Sequence, residues 1–168
     1  MEKVIINNTS NDLYDMVRYK ARAIIQNEDG KIYVTNMNDS FNLPGGTFEE
    51  GENPDKTILR ELKEELGLEN IKPIPFKEFH FYHDDFPLDD GLSRNKSLNI
   101  VYVYLLNINS LDIGKSHFTE YEVEHNYRVE CHKLEEIIEL LKLRNDNIWK
   151  PYTDKELTII LKEFKKGE

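Results

Sequence analysis

One cysteine in 168 residues, Cys131, excludes an intramolecular disulfide and fits a reducing compartment. No apolar run approaches the ~20 residues that span a bilayer. The first twenty residues carry Glu2, Lys3, Asp12, Asp15, Arg18 and Lys20, which leaves no apolar core for a secretory signal. A cytoplasmic setting without a membrane partner is the expectation. Positive charge is scarce too: 22 Lys and Arg stand against 32 Asp and Glu, for a formal net charge of -10. DNA, RNA and anionic lipid are polyanions that attract basic surfaces, so no DNA partner is expected, and a small phosphorylated ligand would need local Arg, Lys or metal. Internal repeats and low-complexity tracts are missing as well. The lysine-rich end (Lys162, Lys165, Lys166) reads as a solvated helix terminus.

What is present is an ordinary globular composition, 39% hydrophobic and 32% charged, of a length that suits a single domain over residues 1–168. Val4 to Ile6 can form a short strand. Tyr19 to Gln26 alternates and is followed by EDGK and KIYVTNM, which predicts a hairpin turning at Asp29-Gly30. Phe76 to Tyr82 and Leu98 to Asn107 read as paired strands joined by a long acidic loop, with the 83–96 segment between them. Tyr121 to Val129 reads as a further strand and Leu134 to Leu143 as a helix. A last helix, Thr153 to Phe164, opens with a capping box from Thr153 to Glu156. Strands outnumber helices in a mixed order, so the class is α+β.

The most informative stretch is GGTFEEGENPDKTILRELKEELGL, from Gly45 to Leu68. Asn53 is a good N-cap, Pro54 suits the first helical position and Gly67 can end a helix in the left-handed conformation, so a helix is predicted from Pro54 to Leu66. Ile58, Leu59, Leu62 and Leu66 form its apolar stripe. At ~100° per residue, Glu61, Glu64 and Glu65 share an arc of about 100° beside that stripe, facing the seam between helix and core. Unneutralised, each like-charged pair at this spacing costs roughly 0.2–0.5 kcal/mol. Hard oxygen donors at a seam, joined by Glu52 from the preceding loop, suit Mg²⁺ or Mn²⁺. Gly45 and Gly46 permit a close loop approach, and a freed carbonyl there could complete a metal shell. Arg60, four residues before Glu64, is placed to hold that carboxylate through a forked ion pair.

From Gly46 the pattern runs five residues to Glu52, seven more, then Arg60-Glu61-Leu62-Lys63-Glu64-Glu65-Leu66-Gly67-Leu68. It resembles the Nudix box of MutT-like hydrolases at every defining position, a match expected by chance on the order of 10⁻⁷ per chain. The resemblance implies a Nudix fold, with a mixed β-sheet sandwiched between α-helices. It also implies a Mg²⁺ (or Mn²⁺) dependent hydrolase cutting a phosphoanhydride by water attack on phosphorus. It suggests Glu61, Glu64, Glu65 and the Gly45 carbonyl as metal-linked, with Glu61 or Glu64 in catalytic roles and Arg60 supporting them. Which glutamate is the base varies among members.

In many resembling enzymes a basic residue on an early strand contacts substrate phosphate. Alternation places Arg18, Lys20 and Arg22 on one strand face, and Arg22 is the substrate-binding candidate. Glu122 and Glu124 stand where such enzymes often carry another carboxylate, and Glu124 is the preferred catalytic candidate. His80, His83 and His125 read as structural or surface residues. HFYHDDF loosely resembles a region of GDP-mannose hydrolases, a hint toward nucleotide sugars. The implied substrate is a nucleoside diphosphate linked to another group, as in a nucleoside triphosphate or a nucleotide sugar. A non-catalytic nucleotide sensor on the same fold is the alternative, and a homodimer is compatible with either. Isopentenyl diphosphate isomerase chemistry, which uses a cysteine before the box, is disfavoured because positions 1–45 contain none.

Overall fold

The computed structural model describes residues 1–6, 14–87, 94–112, 120–143 and 151–167. Its strands are β1 (Glu2–Ile6), β2 (Met16–Gln26), β3 (Ile32–Met37), β4 (Ser40–Asn42), β5 (Gly45–Thr47), β6 (Ile74–Pro87), β7 (Arg94–Asn107) and β8 (Arg128–His132). The helices are α1 (Pro54–Leu66), α2 (Glu120–Glu124), α3 (Leu134–Leu143) and α4 (Pro151–Lys166). The strands join in the order β1-β6-β7-β2-β3-β4, with β5 paired to β2 and β8 to β3. Pairs β1–β6 and β2–β7 are parallel and the rest antiparallel, so the sheet is mixed, as expected.

Period-two alternation gives the sheet two apolar faces. On one, Ala21, Ala23 and Ile25 pack with Ile58, Leu62 and Leu66 of α1. On the other, Ile24, Val34, Phe79, Val101 and their neighbours pack with Ile137, Leu141, Leu157 and Leu161 of α3 and α4. The sandwich of sheet between helices follows directly from these stripes. No helix among the described residues is long and apolar enough to cross a membrane.

Helix α1 forms where its local chemistry places it. The Asn53 side chain accepts from the Lys56 N–H at 2.9 Å, Pro54 opens the helix, and Gly67 closes it at φ 64°. Leu68 N–H then reaches the Leu62 carbonyl at 3.1 Å in a Schellman-type cap. Leu59, expected in the apolar stripe, is instead 43% exposed, because the stripe that docks on β2 is the narrower one through Ile58, Leu62 and Leu66.

Three further expectations are corrected. Tyr121 to Val129 is not one strand: α2 is followed by a turn at Asn126, φ 52°, and only then by β8. The hairpin strands β6 and β7 continue well into the supposed long loop, because Phe86 pairs with Asn95 and Pro87 with Arg94. That leaves residues 88–93 between the strands, outside the described residues. Helix α4 begins at Pro151, so Thr153 lies inside it and opens no capping box; Glu156 instead accepts from Asn99 Nδ2 at 2.6 Å and meets His83 Nε2 at 2.8 Å.

Candidate active site

The seam between α1 and the sheet is closed by two glycines, each for a different reason. Gly45 pairs with Arg22 across the β2–β5 ladder at φ 129°, and a Cβ there would stand 2.1 Å from the Ala21 carbonyl oxygen. A Cβ on Gly46 would stand 2.0 Å from Glu61 Oε1. The first glycine lets the backbone of β5 lie on β2, and the second leaves a cradle filled by the Glu61 carboxylate.

Arg60 is the hub of the helix face. Its Nε and Nη2 donate to the two oxygens of Glu52 at 2.7 and 3.1 Å, and Nη1 donates to Glu61 Oε1 at 2.9 Å. Glu52 also accepts from the Thr57 hydroxyl at 2.6 Å and the Glu49 N–H at 3.0 Å. The fork expected on Glu64 therefore goes to Glu52; Glu64 receives only a 3.4 Å contact and stays about half exposed. Glu52 becomes a clamp that fixes Arg60 rather than an open donor, and hydrogen bonds from Arg60, first among several, hold its carboxyl down at about 2.

The other two carboxyls are pushed in the opposite direction. Burial raises Glu61, against the opposing pull of Arg60 and Arg22. It raises Glu65 to about 8, although Arg22, the Gly45 N–H at 2.7 Å and Tyr127 all favour the anion. Burial and the neighbouring Glu65 in turn raise the Tyr127 phenol. Enclosure thus outweighs the arginines at both carboxyls and favours their protonated forms.

Beside Glu65 a cavity of about 250 Å³ opens between β2 and β3. Its lining includes Arg22, Gly45, Glu65, Thr35, Asn42, Glu122 and Tyr127. The structure thus brings Arg22, Gly45 and Glu65 to one cavity, with Glu61 and Arg60 adjoining. Glu124 is exposed on α2 and does not line this cavity, whereas Glu122 does. Strand alternation would have put both glutamates on one face; the five-residue helix separates them, and only Glu122 lines the cavity. Tyr127 escaped the sequence reading because the left-handed turn at Asn126 that redirects the chain has no apolar period to announce it.

The donor set suits a hard divalent cation: carboxylates and a carbonyl only, two of the carboxylates enclosed, and a cradle that any Cβ at Gly46 would fill. Among the described residues no group of three or more His, Cys, Asp or Glu side chains already converges as a cage. Arg60 and the Gly45 N–H occupy the oxygens instead. Residues that would gather around a cation are Glu61, Glu64 and Glu65, all on one helix, with the Gly45 carbonyl opposite.

The fold and this seam define a sandwich domain in which a glutamate-bearing helix is docked through a Gly-Gly strand beside a polar cavity. The model of the NUDIX domain matches residues 16–153, and the chain belongs to the Nudix family. It is similar to the 8-oxo-dGTP diphosphatase of Escherichia coli (strain K12), 37% identical over 73 residues that make up 40% of this chain and 54% of that protein. It is also similar to the RNA pyrophosphohydrolase of Bartonella quintana (strain Toulouse), 36% identical over 75 residues, 38% of this chain and 43% of that one. The chain thus spans about half the length of the curated relatives it matches. Among solved structures, the NUDIX hydrolase from Nitrosomonas europaea shares the fold at TM-score 0.52 and 18% identity, covering 83% of this chain and 88% of that one. The MutT protein from Methanosarcina mazei Go1 does so at 0.50 and 20%, covering 76% and 85%.

Proposed function

We propose that this protein hydrolyses the phosphoanhydride of a nucleoside diphosphate linked to another group, by water attack on phosphorus and with a divalent cation, Mg²⁺ or Mn²⁺. The observation that carries the reading is the polar cavity lined by Arg22, Gly45 and the enclosed Glu65, with Glu61 seated against Gly46 beside it. The names of the two curated relatives, a diphosphatase and a pyrophosphohydrolase, support the same reaction class. The reaction is carried by a single domain acting on a small nucleotide in a cytoplasmic setting.

A divalent cation held by Glu61, Glu64, Glu65 and the Gly45 carbonyl would supply charge neutralisation and an acidified water. The chain's own groups do the rest. Arg22 donates to phosphate oxygens and holds the anhydride in the cavity. Arg60, locked on Glu52, fixes the Glu61 rotamer at the cradle of Gly46. A glutamate carboxylate, Glu61 or Glu64, takes the proton as the water oxygen bonds to phosphorus, and the leaving phosphate departs with the bonding pair. Of the two α2 glutamates, Glu122 is the one that lines the cavity.

Turnover in ¹⁸O-water against a panel of nucleoside triphosphates, nucleotide sugars, dinucleoside polyphosphates and capped RNA tests the reading. Label should enter a phosphate of one product, and Glu64→Gln and Glu65→Gln should lose most of the rate while remaining folded. Label on a sugar carbon, or near-normal rates in both variants, would overturn it. Tight nucleotide binding with no metal-dependent turnover across the panel would favour a sensor instead.

A further inference from the structure

Among the expected cation donors, the Gly45 carbonyl is held by a guanidinium other than Arg60. Arg22 Nη1 donates to the Gly45 carbonyl and, at 3.0 Å, to the Leu43 carbonyl. Its charge also bears on both Glu61 and Glu65. We propose that the Arg22 guanidinium stands in for the divalent cation at the Gly45 carbonyl and swings to a substrate phosphate when the cation arrives, so that metal loading and substrate capture are coupled through one side chain. The inference rests on the metal-dependent reading above.

Three features argue for it. The two arginines of the site are held differently: Arg60 is paired with the carboxylates of Glu52 and Glu61, whereas Arg22 donates to the neutral backbone carbonyls of Leu43 and Gly45, which hold a guanidinium less firmly. Arg22 is therefore the one that yields. A guanidinium and a divalent cation on the same carbonyl repel each other, and the cation can draw on carboxylates that Arg22 does not touch by hydrogen bond. Arg22 also has somewhere to go. It lines the cavity beside Glu65 and also a smaller pocket toward Lys20, and Asn42 and Thr153 line both, so open space adjoins the side chain. Once displaced, its donors need new acceptors, and phosphate oxygens match a planar fork well. A ligand that makes the other's contact available gives positive coupling between the two.

The test is Mn²⁺ binding to the substrate-free protein, followed by calorimetry and by EPR of the free ion. Arg22→Ala should bind Mn²⁺ about tenfold tighter than wild type, since the competing donor to Gly45 is gone. Lys20→Ala removes the same unit charge from the same strand face, two residues away, and should change affinity by less than about threefold. Equal shifts in the two variants, or unchanged or weaker binding in Arg22→Ala, would overturn the inference. Wild-type protein that binds no Mn²⁺ would instead sink the metal-dependent reading and this inference with it. Should Arg22→Ala fail to fold, ¹⁵N spectra of the wild-type arginine side chains decide the matter. Saturating Mg²⁺ should release the Arg22 guanidinium to free rotation, and a non-hydrolysable nucleoside diphosphate analogue should immobilise it again. An Arg22 signal indifferent to Mg²⁺ overturns the proposal.

Discussion

Adjacent glycines in this site should respond in opposite ways to the same added methyl group. In Gly46→Ala the new Cβ meets Glu61 Oε1 at 2.0 Å and Cδ at 2.4 Å, both at the far end of a side chain that can rotate away. The replacement also narrows the unfolded ensemble, which is worth about 0.4–1 kcal/mol in favour of the folded state. Against that stands the loss of the Arg60–Glu61 pair, partly exposed and worth about 0–1 kcal/mol. Net stability should stay within about 1 kcal/mol of wild type. The expelled carboxylate, however, is one of the proposed ligands, so Mn²⁺ affinity should fall at least about tenfold. In Gly45→Ala the Cβ meets the Ala21 carbonyl oxygen at 2.1 Å and Arg22 Cα at 2.9 Å, at φ 129°. Those are backbone atoms of a central strand. Strain and overpacking together should destabilise this variant by about 3–5 kcal/mol. Urea melts and Mn²⁺ titrations of both variants separate the cases. A Gly46→Ala protein as unstable as Gly45→Ala, or one that binds Mn²⁺ like wild type, would refute the assignment of the Gly46 cradle to Glu61.

Without metal, Glu65 titrates at about 8 in the folded chain, above the usual carboxyl range, so the folded state holds this proton more tightly than the unfolded one. Its contribution is fully present below about 4.5 and is lost as pH rises through about 8, on the order of a few kcal/mol. Urea melts in EDTA at pH 6 and pH 8.5 should show that decline in wild type and a much flatter profile in Glu65→Gln. Glu52 has the opposite sign: its carboxyl is held at about 2, so its support is present above about 4.5 and is lost as pH falls through about 2. Glu52→Gln should cost about 1 kcal/mol at pH 7, discounted for partial exposure, and should loosen Arg60, seen as faster exchange of its Nε proton. Glu156→Ala strands the buried His83 and Asn99 side chains and should cost about 2–4 kcal/mol in a urea melt; a cost below ~0.5 kcal/mol would mean that water replaces the carboxylate.

The two halves of the site differ in how far they can be read from the chain, and the difference is one of range. Helix α1 is specified within fifteen residues by the Asn53 cap, Pro54 and the Gly67 stop, so its bounds and the arc of Glu61, Glu64 and Glu65 follow from 3.6-residue geometry. Where local signals are weak, the reading slips. YEVEHNYRV alternates well enough to suggest a strand with Glu122 and Glu124 on one face, and a five-residue helix is too short to display a helical period, so α2 and the separation of the two glutamates are hidden. Arg60 shows the same limit from the other side. Its spacing to Glu64 is a helical neighbour relation, but Glu52 arrives from a loop already anchored by Thr57 and the Glu49 N–H, and a fully forked, pre-positioned carboxylate outcompetes one that is half exposed. The sheet side is harder still. Alternation correctly puts Arg22 on the basic face of β2, yet period two sets only the face and says nothing of the partner. That Arg22 falls opposite Gly45 depends on the β2–β5 register, and the register depends on Gly45 lying flat against Ala21. The small side chains of β2 and the missing Cβ of β5 thus bring Arg22 to the one backbone carbonyl that a cation on the α1 glutamates would share, which no spacing within either segment could reveal.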